Sequence, residues 1–295
     1  MKTFQIITDS SCDLPQELAD KLDLQVLPLH FTIGGQTYAN YLDGREIGFH
    51  DFFERIRQGE EASTSAVNPE SFREAMEKTL QQGLDILFIG FSSGLSTTYQ
   101  SGCIAADDLR EEYPERKILT VDSLCASLGQ GLYVYLGALE QQAGKTIEEV
   151  RDYLEEIKLH LCHWFTVNDL MFLKRGGRVD AATALVGTVL QIKPLLKGDP
   201  QGKIVCFAKL RGRQRAIEAI AKRYEELVRD AQTQTVGIAH ADCAPDAQIL
   251  ASLLRRSSCP PKQILLVDYE PVTGSHVGPG ALALFFLSDD KVRMI

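Results

Sequence analysis

Small hydroxyl and carboxylate side chains follow three apolar runs of this chain, residues 4–7, 86–91 and 118–121. The polar segments are Thr8-Asp9-Ser10-Ser11-Cys12-Asp13-Leu14, Ser92-Ser93-Gly94-Leu95-Ser96-Thr97-Thr98-Tyr99 and Asp122-Ser123-Leu124-Cys125-Ala126-Ser127. Each segment lies between a strand pattern and a helix pattern, which is how a parallel sheet presents polar groups at the carboxyl ends of its strands. The three segments are therefore expected to lie side by side and to form one hydroxyl-rich ligand pocket.

The elements that must position these groups alternate between strand and helix in the first half. Asn68 is a helix cap with Pro69 at the first helical position. Predicted strands cover 24–29, 86–91 and 117–121, and predicted helices cover 69–82, 97–112, 126–142 and 146–159. The second half shows strand patterns at 165–167, 204–208, 236–239, 264–267 and 281–287, with helices at 181–192 and 216–230. We therefore expect an α/β protein with two domains: a parallel-sheet domain over 1–158 and a mixed-sheet domain over 159–295, with the ligand between them.

Composition limits the classes of function. The chain has 295 residues and a formal net charge of −9, so general nucleic-acid binding is disfavoured. No apolar stretch reaches the ~20 residues of a membrane helix. Seven scattered cysteines without a secretory leader favour reduced thiols and a cytoplasmic location.

Two short patterns carry little weight as cofactor or metal sites. Gly144-Lys145-Thr146 lacks the first glycine of a phosphate loop, since position 139 is Leu139, and Thr146 to Glu149 is instead a capping box. His160-Leu161-Cys162-His163 offers no second pair of metal ligands. We expect neither a metal nor a cofactor.

Taken in order, the motifs resemble those of the DegV family, the fatty-acid-binding subunits of bacterial fatty acid kinase. The resemblance spans essentially the whole chain. It rests on Thr8 to Pro15, Thr64-Ser65 ahead of Asn68-Pro69, Ser92 to Tyr99, Val121-Asp122-Ser123, Asp169-Leu170, Leu173-Lys174-Arg175-Gly176-Gly177-Arg178, Lys193-Pro194, Lys209-Leu210-Arg211-Gly212 and His276-Val277-Gly278-Pro279-Gly280-Ala281.

The resemblance implies a carrier rather than a self-sufficient enzyme. Such a protein encloses a long-chain fatty acid and presents its carboxylate to an ATP-dependent kinase subunit, which forms the acyl-phosphate. The family's carboxylate contacts match Thr64, Ser96 and His276 here. Thr97 stands where the family often has glycine, so its Cβ and methyl group change the shape of the carboxylate pocket and make it a further candidate contact.

The chemistry of these residues suits an anion, because hydroxyls and free N–H groups at a helix start are donors. Each also has a plainer interpretation. Ser96 and Thr97 are possible helix caps, Thr64 a surface-loop residue, and His276 a structural or solvated histidine. The glycines around His276 favour a close approach of ligand to backbone, and a charged imidazolium there would strengthen a bond to carboxylate.

The acyl chain needs an apolar tunnel, for which the small-residue helix pattern at 181–192 supplies the candidates Leu185, Val189 and Ile192. An ordinary core helix is the alternative. Lys174, Arg175 and Arg178 form a positive patch that we interpret as a docking face for the kinase, a solvated surface being the alternative.

Two other functions fit parts of the sequence. A serine hydrolase would use Ser96 as nucleophile and His276 as base, although no G-x-S-x-G turn surrounds Ser96. A phosphotransferase would rely on Asp9 and Asp122, which are the only candidate metal-binding acids.

Overall fold

A parallel sheet organises the first half of the protein. The computed structural model describes residues 2–179 and 192–294. Four parallel strands run in the order β2-β1-β6-β7, with bounds Phe4–Asp9 (β1), Gln25–Leu27 (β2), Asp85–Gly90 (β6) and Ile118–Asp122 (β7). Because β1, β6 and β7 are neighbours, their carboxyl ends meet at one edge. The predicted side-by-side arrangement of the three polar segments is confirmed.

Helices cover this sheet, which explains why every residue of β1 is buried. The helices of this half are Gln16–Lys21 (α1), Phe49–Arg57 (α2), Pro69–Gln81 (α3), Thr98–Glu112 (α4), Leu128–Gln142 (α5) and Ile147–Ile157 (α6), of which α3 to α6 pack on the strands of the parallel sheet. Asn68 caps α3 by accepting a hydrogen bond from Ser71 N, and Thr146 and Glu149 form the predicted capping box of α6. The four helices predicted over 69–82, 97–112, 126–142 and 146–159 are therefore confirmed, with ends shifted by at most two residues.

A small antiparallel sheet was not predicted. Its strands run in the order β4-β3-β5, with bounds Leu29–Ile33 (β3), Gln36–Asn40 (β4) and Ala62–Ser65 (β5). The single strand predicted over 24–29 is wrong, because Pro28 separates β2 from β3. Proline has no N–H to donate to a sheet ladder, so the chain changes sheets there.

The second half is built on a mixed sheet. Its order is β10-β9-β8-β13-β11-β12, with only the β11–β12 pair parallel. The strands are Leu161–Thr166 (β8), Ile192–Gly198 (β9), Ile204–Arg211 (β10), Thr235–His240 (β11), Gln263–Asp268 (β12) and Leu282–Leu287 (β13). The described helices are Leu170–Arg175 (α7), Arg213–Leu227 (α8), Ala244–Arg255 (α9) and Pro271–Val277 (α10), and a short 3-10 turn covers Val292–Met294.

The two halves share one apolar core. Leu128 on α5 belongs to the same buried cluster as Phe165 on β8 and Phe285 on β13. A second buried cluster lies on the other face of the mixed sheet and contains Trp164 and Tyr224. The fold is thus the expected two-domain α/β class, with a parallel sheet first and a mixed sheet second, while the boundary at 158/159 stays a prediction.

Within the described ranges, no helix has the length and apolar character needed to span a membrane. All seven cysteines are free thiols.

Candidate functional site

A cavity of about 430 Å³ lies where the parallel sheet, the small antiparallel sheet and the mixed sheet meet. The carboxyl edge of the parallel sheet supplies one wall, through the segments that follow β6 and β7. Strand β5 and helix α10 supply a second wall, and β8 and β13 supply a third. The four predicted carboxylate contacts, Thr64, Ser96, Thr97 and His276, all line this cavity.

Thr64 and His276 are brought into direct contact although they are far apart in the chain. Thr64 Oγ1 lies 2.9 Å from His276 Nε2. Thr64 is on β5, so it is not the loop residue of the plainer interpretation, and His276 is in the last turn of α10. A Cβ built at Gly176 would overlap His276 Nδ1, so the glycine after α7 makes room for the imidazole ring.

The imidazole of His276 is neutral near pH 7. Burial, with a smaller contribution from the charge of Arg178, lowers the pKa of His276 from 6.5 to about 4. The extra strength that a charged imidazolium would give to a bond with a carboxylate is therefore absent near pH 7. A neutral ring still offers one N–H donor to Thr64 or to a ligand, so the hydrogen-bonding role predicted for His276 does not depend on its charge.

Ser96 and Thr97 lie at the start of α4 and differ in what they do there. Thr98 N donates to Ser96 Oγ over 3.2 Å, and the two hydroxyls of Ser96 and Thr98 are 3.0 Å apart. Thr97 is exposed at the capping position and makes no side-chain cap. Capping is thus confirmed for Ser96 but not for Thr97. Ser96 also lines the cavity, where the positive end of the helix dipole favours an anion.

The three basic candidates near α7 are not equivalent. Lys174 and Arg175 are exposed, and Arg175 makes an ion pair of 3.4 Å with the exposed Glu61. Arg178 is half-buried, lines the cavity and donates from Nε to Leu95 O over 3.2 Å. The prediction that Arg178 lies on a docking face is corrected here, because its cation is at the cavity beside His276.

Comparison with known proteins decides the family. The model described as "Uncharacterised protein, DegV family" matches residues 3–289. This chain belongs to the DegV family. A DegV domain-containing protein of Clostridium perfringens is 42% identical over 292 residues, which cover 99% of each chain.

Solved DegV structures share the fold over almost the whole length. A Thermus thermophilus DegV family protein described by its fatty-acid binding is 30% identical, with a TM-score of 0.88 over 97% of this chain and 99% of that one. DegV of Bacillus subtilis, described as a fatty acid binding protein, is 27% identical, with a TM-score of 0.83 over 98% of this chain and 100% of that one.

Apolar side chains form much of the remaining cavity wall in this DegV protein: Leu29, Phe91, Leu95, Phe165, Leu173, Ile204, Val272, Val277 and Phe285. Of the three predicted tunnel residues, Leu185 and Val189 lie outside the described residues. Ile192 begins β9 instead of ending a helix, and it is not part of the described cavity wall. Most of these wall residues come from strands and loops, so no single helical pattern could have predicted them.

Two buried carboxylates, which no sequence pattern indicated, hold the helix α10 that carries His276. Glu270 accepts hydrogen bonds from Val272 N and Thr273 N and from Asn40 Nδ2, the last over 2.8 Å. Asp13 Oδ1 accepts from Glu270 N over 3.0 Å. Burial raises the pKa of Glu270 to about 7 and raises that of Asp13 well above its usual range, with the Glu270 charge adding to the latter. Through its hydrogen bonds to Asn40 and Asp13, Glu270 therefore links the second half of the protein to the first half next to the candidate site.

The geometry does not support a serine hydrolase. The imidazole of His276 is bonded to Thr64, and the hydroxyl of Ser96 is bonded to Thr98. Among the described residues, no carboxylate forms a hydrogen bond or ion pair with His276 that would orient it as a base. The phosphotransferase candidates serve the backbone, since Asp9 accepts from Ser11 N and Asp122 accepts from Leu124 N.

Two groups of potential metal ligands occur among the described residues, and neither has the geometry or charge of a convincing metal site. His160 and His163 point to different surroundings, since His160 Nδ1 lies 3.1 Å from Ser288 O and His163 lines the cavity. His50, Glu54 and Asp242 lie close together on the surface, where Arg57 already supplies a cation.

Proposed function

We propose that this protein binds a long-chain fatty acid in the cavity, with the carboxylate at Thr64, Ser96 and His276. The observation that carries the proposal is the convergence of these three groups, from β5, the start of α4 and α10, on one largely apolar cavity. Two DegV proteins of the same fold are described as fatty-acid-binding, which supports the same ligand class here.

The free energy of binding favours a ligand that has both an apolar chain and an anionic headgroup. Each buried CH₂ group contributes about 0.8 kcal/mol, so a long chain gains on the order of 10 kcal/mol before the costs of ordering. Neutral hydroxyl and imidazole donors satisfy the carboxylate, and the guanidinium of Arg178 supplies a positive charge at the same cavity. A hydrocarbon without a headgroup would leave these donors unpaired, which is unfavourable.

We further propose that the protein is a carrier and not an enzyme, and that it needs no cofactor. A kinase subunit would transfer the γ-phosphoryl group of ATP to a carboxylate oxygen, releasing ADP and leaving an acyl-phosphate. Lys174 and Arg175 are exposed on α7, and a Cβ built at Gly176, immediately after them, would overlap the imidazole of His276. A partner docked there would be next to the bound carboxylate. The free state of all seven cysteines supports a cytoplasmic location.

Solvent extraction tests the binding proposal. The purified protein is denatured, extracted and analysed by mass spectrometry, and the fatty acid is quantified against protein. We expect about one fatty acid per chain, because a ligand that buries this much apolar surface dissociates slowly. Extracts without fatty acid, together with failure to take up added octadecanoic acid, would refute it.

Arg175→Ala tests the docking face. Acyl-phosphate formation is measured with a DegV-partner kinase and ATP, alongside retention of fatty acid. We expect slower product formation with unchanged retention, because Arg175 is exposed. Arg151→Ala is the matched control, since Arg151 is a partly exposed arginine on α6 outside the cavity wall. Equal rates for wild type and Arg175→Ala would rule out this face.

A further inference from the structure

Strand β12 forms an outer edge of the mixed sheet, and among the described strands it pairs with β11 alone. Its sequence is Gln263-Ile264-Leu265-Leu266-Val267-Asp268, and the four apolar side chains are all partly exposed. Edge strands of soluble proteins usually carry a central charge, a proline or a bulge that opposes pairing with another chain. β12 carries none of these between its two polar ends. Its sequence therefore does not oppose a further strand.

The backbone groups of β12 alternate between β11 and the outside of the sheet. Gln263 N donates to Gln234 O, just before β11, over 3.2 Å. Because the alternation along a strand has a period of two, Leu265 also faces β11, whereas the N–H and C=O groups of Ile264 and Leu266 point outward. No described residue forms a hydrogen bond with these outward groups. Unpaired donors and acceptors are thus available at the centre of the edge.

The strand is self-complementary about Leu265. A two-fold axis perpendicular to the sheet pairs two copies of an edge antiparallel, and each face of the sheet then continues into the same face of the second copy. Only residues that point to the same face can lie opposite each other. With the axis at Leu265, this residue lies opposite its own copy, and Ile264 lies opposite Leu266 of the second copy. Residues 264–266 are therefore matched entirely by apolar side chains.

The same register pairs the outward backbone groups. In an antiparallel ladder, two opposite residues either exchange both of their N–H···O bonds or make none with each other. Ile264 and Leu266 have outward groups, so an Ile264–Leu266 pair between the copies exchanges both bonds, and the two-fold axis repeats the pair. Leu265, whose backbone groups face β11, falls at the position that makes none. The side chains and the backbone therefore select the same register.

The charges at the two ends of β12 follow the same symmetry. Lys262 is exposed immediately before the strand, and the Asp268 side chain is 49% exposed at its end. The contact of Asp268 with His240 Nδ1, over 3.2 Å, holds this carboxylate at the sheet edge. Antiparallel pairing about Leu265 places Lys262 of each copy opposite Asp268 of the other, whereas parallel pairing would align like charges. Charge complementarity therefore favours a second copy of this chain in the antiparallel orientation.

The helix that precedes β12 adds apolar surface. Ile249 on α9 is 39% exposed, and Leu253, one turn later on the same side of the helix, packs against the same apolar cluster as Ile264 and Leu266. An interface made of one short strand and part of one helix is small. We therefore expect a dimer that dissociates in the micromolar range and not an obligate one.

We propose that the edge of β12 is a self-association surface, through which two copies of this protein pair antiparallel about a two-fold axis at Leu265 and form one continuous sheet. The occupant is a second copy because the apolar centre, the outward backbone groups and the terminal charges are all matched by one symmetry operation. The inference is independent of the proposed fatty-acid function, since no residue of β12 is among the described residues that line the cavity.

Charge reversal at the ends of the strand tests the orientation. Sedimentation velocity of the full chain, from about 1 to about 200 µM, should show a monomer–dimer equilibrium. Lys262→Glu and Asp268→Lys each place like charges opposite each other at both ends of the pair, so each should raise the dissociation constant of the dimer about tenfold. The double variant places opposite charges together again and should recover to within about threefold of wild type. If Asp268→Lys does not fold, Lys262→Glu and the cross-linking below decide.

Disulfide cross-linking tests the register. Leu265 and its copy occupy a position without mutual hydrogen bonds, where Cα atoms are about 4.5 Å apart, and this distance is within the range of a disulfide. Leu265→Cys should therefore give a covalent dimer under mild oxidation. Gln263→Cys is the matched control, because its two copies are four strand residues apart, or about 13 Å. Wild type, which has seven free cysteines, is oxidised in parallel and gives the background.

Three results would overturn the inference. The first is a protein that stays monomeric at every concentration. The second is a dimer whose dissociation constant does not change on charge reversal, because the copies then associate through another surface. The third is cross-linking of Leu265→Cys that does not exceed that of Gln263→Cys and wild type. Octadecanoic acid should bind equally to wild type and to Lys262→Glu, so the outcome for the dimer and the outcome for the proposed function are read separately.

Discussion

Replacing Thr64 by valine is the sharpest single perturbation of the candidate site. The two side chains have nearly the same shape, and valine is well suited to strand β5, so the change removes a hydroxyl and little else. In the structure that hydroxyl contacts His276 Nε2 over 2.9 Å. In the proposed complex it also faces the carboxylate of the ligand.

The expected magnitudes differ between the free and the bound protein. Loss of the Thr64–His276 hydrogen bond should lower the free energy of unfolding by about 1 kcal/mol. Loss of a hydrogen bond to a carboxylate costs about 1.5–3 kcal/mol, which corresponds to a dissociation constant about 10–150 times larger. The free energy of fatty-acid binding should therefore change more than the free energy of unfolding of the free protein.

Displacement of a fluorescent fatty acid measures the affinity, and thermal unfolding without ligand measures the stability. Thr32→Val is the matched control, since Thr32 Oγ1 bonds Thr37 Oγ1 over 2.8 Å on the same small sheet but outside the cavity wall. That variant should bind fatty acid like the wild type. If Thr64→Val binds within about twofold of wild type, the hydroxyl is not a carboxylate ligand and the reasoning is refuted.

Two further predictions concern the support of His276. Gly176→Ala places a Cβ against His276 Nδ1, so ligand affinity should fall about tenfold; equal affinity in the displacement assay would show that the imidazole position is unimportant. Glu270→Gln tests the buried carboxylate, whose pKa burial raises from 4.5 to about 7. The folded state binds its proton more tightly than the unfolded state, so wild type should lose on the order of 3 kcal/mol relative to the variant as pH rises from ~4.5 to ~7. Parallel unfolding curves across that pH range would contradict this assignment.

The sequence was sufficient for the alternating strands and helices around the parallel sheet and for the polar edge of that sheet. Apolar runs followed by hydroxyl-rich segments predict which strand ends carry the site, because that relation is local. The approach of Thr64 to His276 is not local, since the two residues are 212 positions apart and meet only through tertiary packing. The family resemblance, and not their spacing, supplied that pair.

The residues whose roles could not be predicted are those whose roles depend on burial in the folded protein. Arg178 follows two exposed basic residues and looks like part of the same patch, yet it lines the cavity. Arg293 lies two residues before Ile295 in a chain with many surface arginines, and nothing in its sequence neighbours indicates that it is buried. The pairing of Asp13 with position 270 joins the two halves of the protein, and no local pattern marks a carboxylate whose pKa is raised by such a contact.

A structure of the protein with octadecanoic acid tests the central claim most directly, because it locates both ends of the ligand. The account predicts carboxylate oxygens within hydrogen-bond distance of Thr64 Oγ1 and Ser96 Oγ, with the hydrocarbon chain running past Phe165. A carboxylate bound to Arg293, with the methyl end at Thr64, would contradict it.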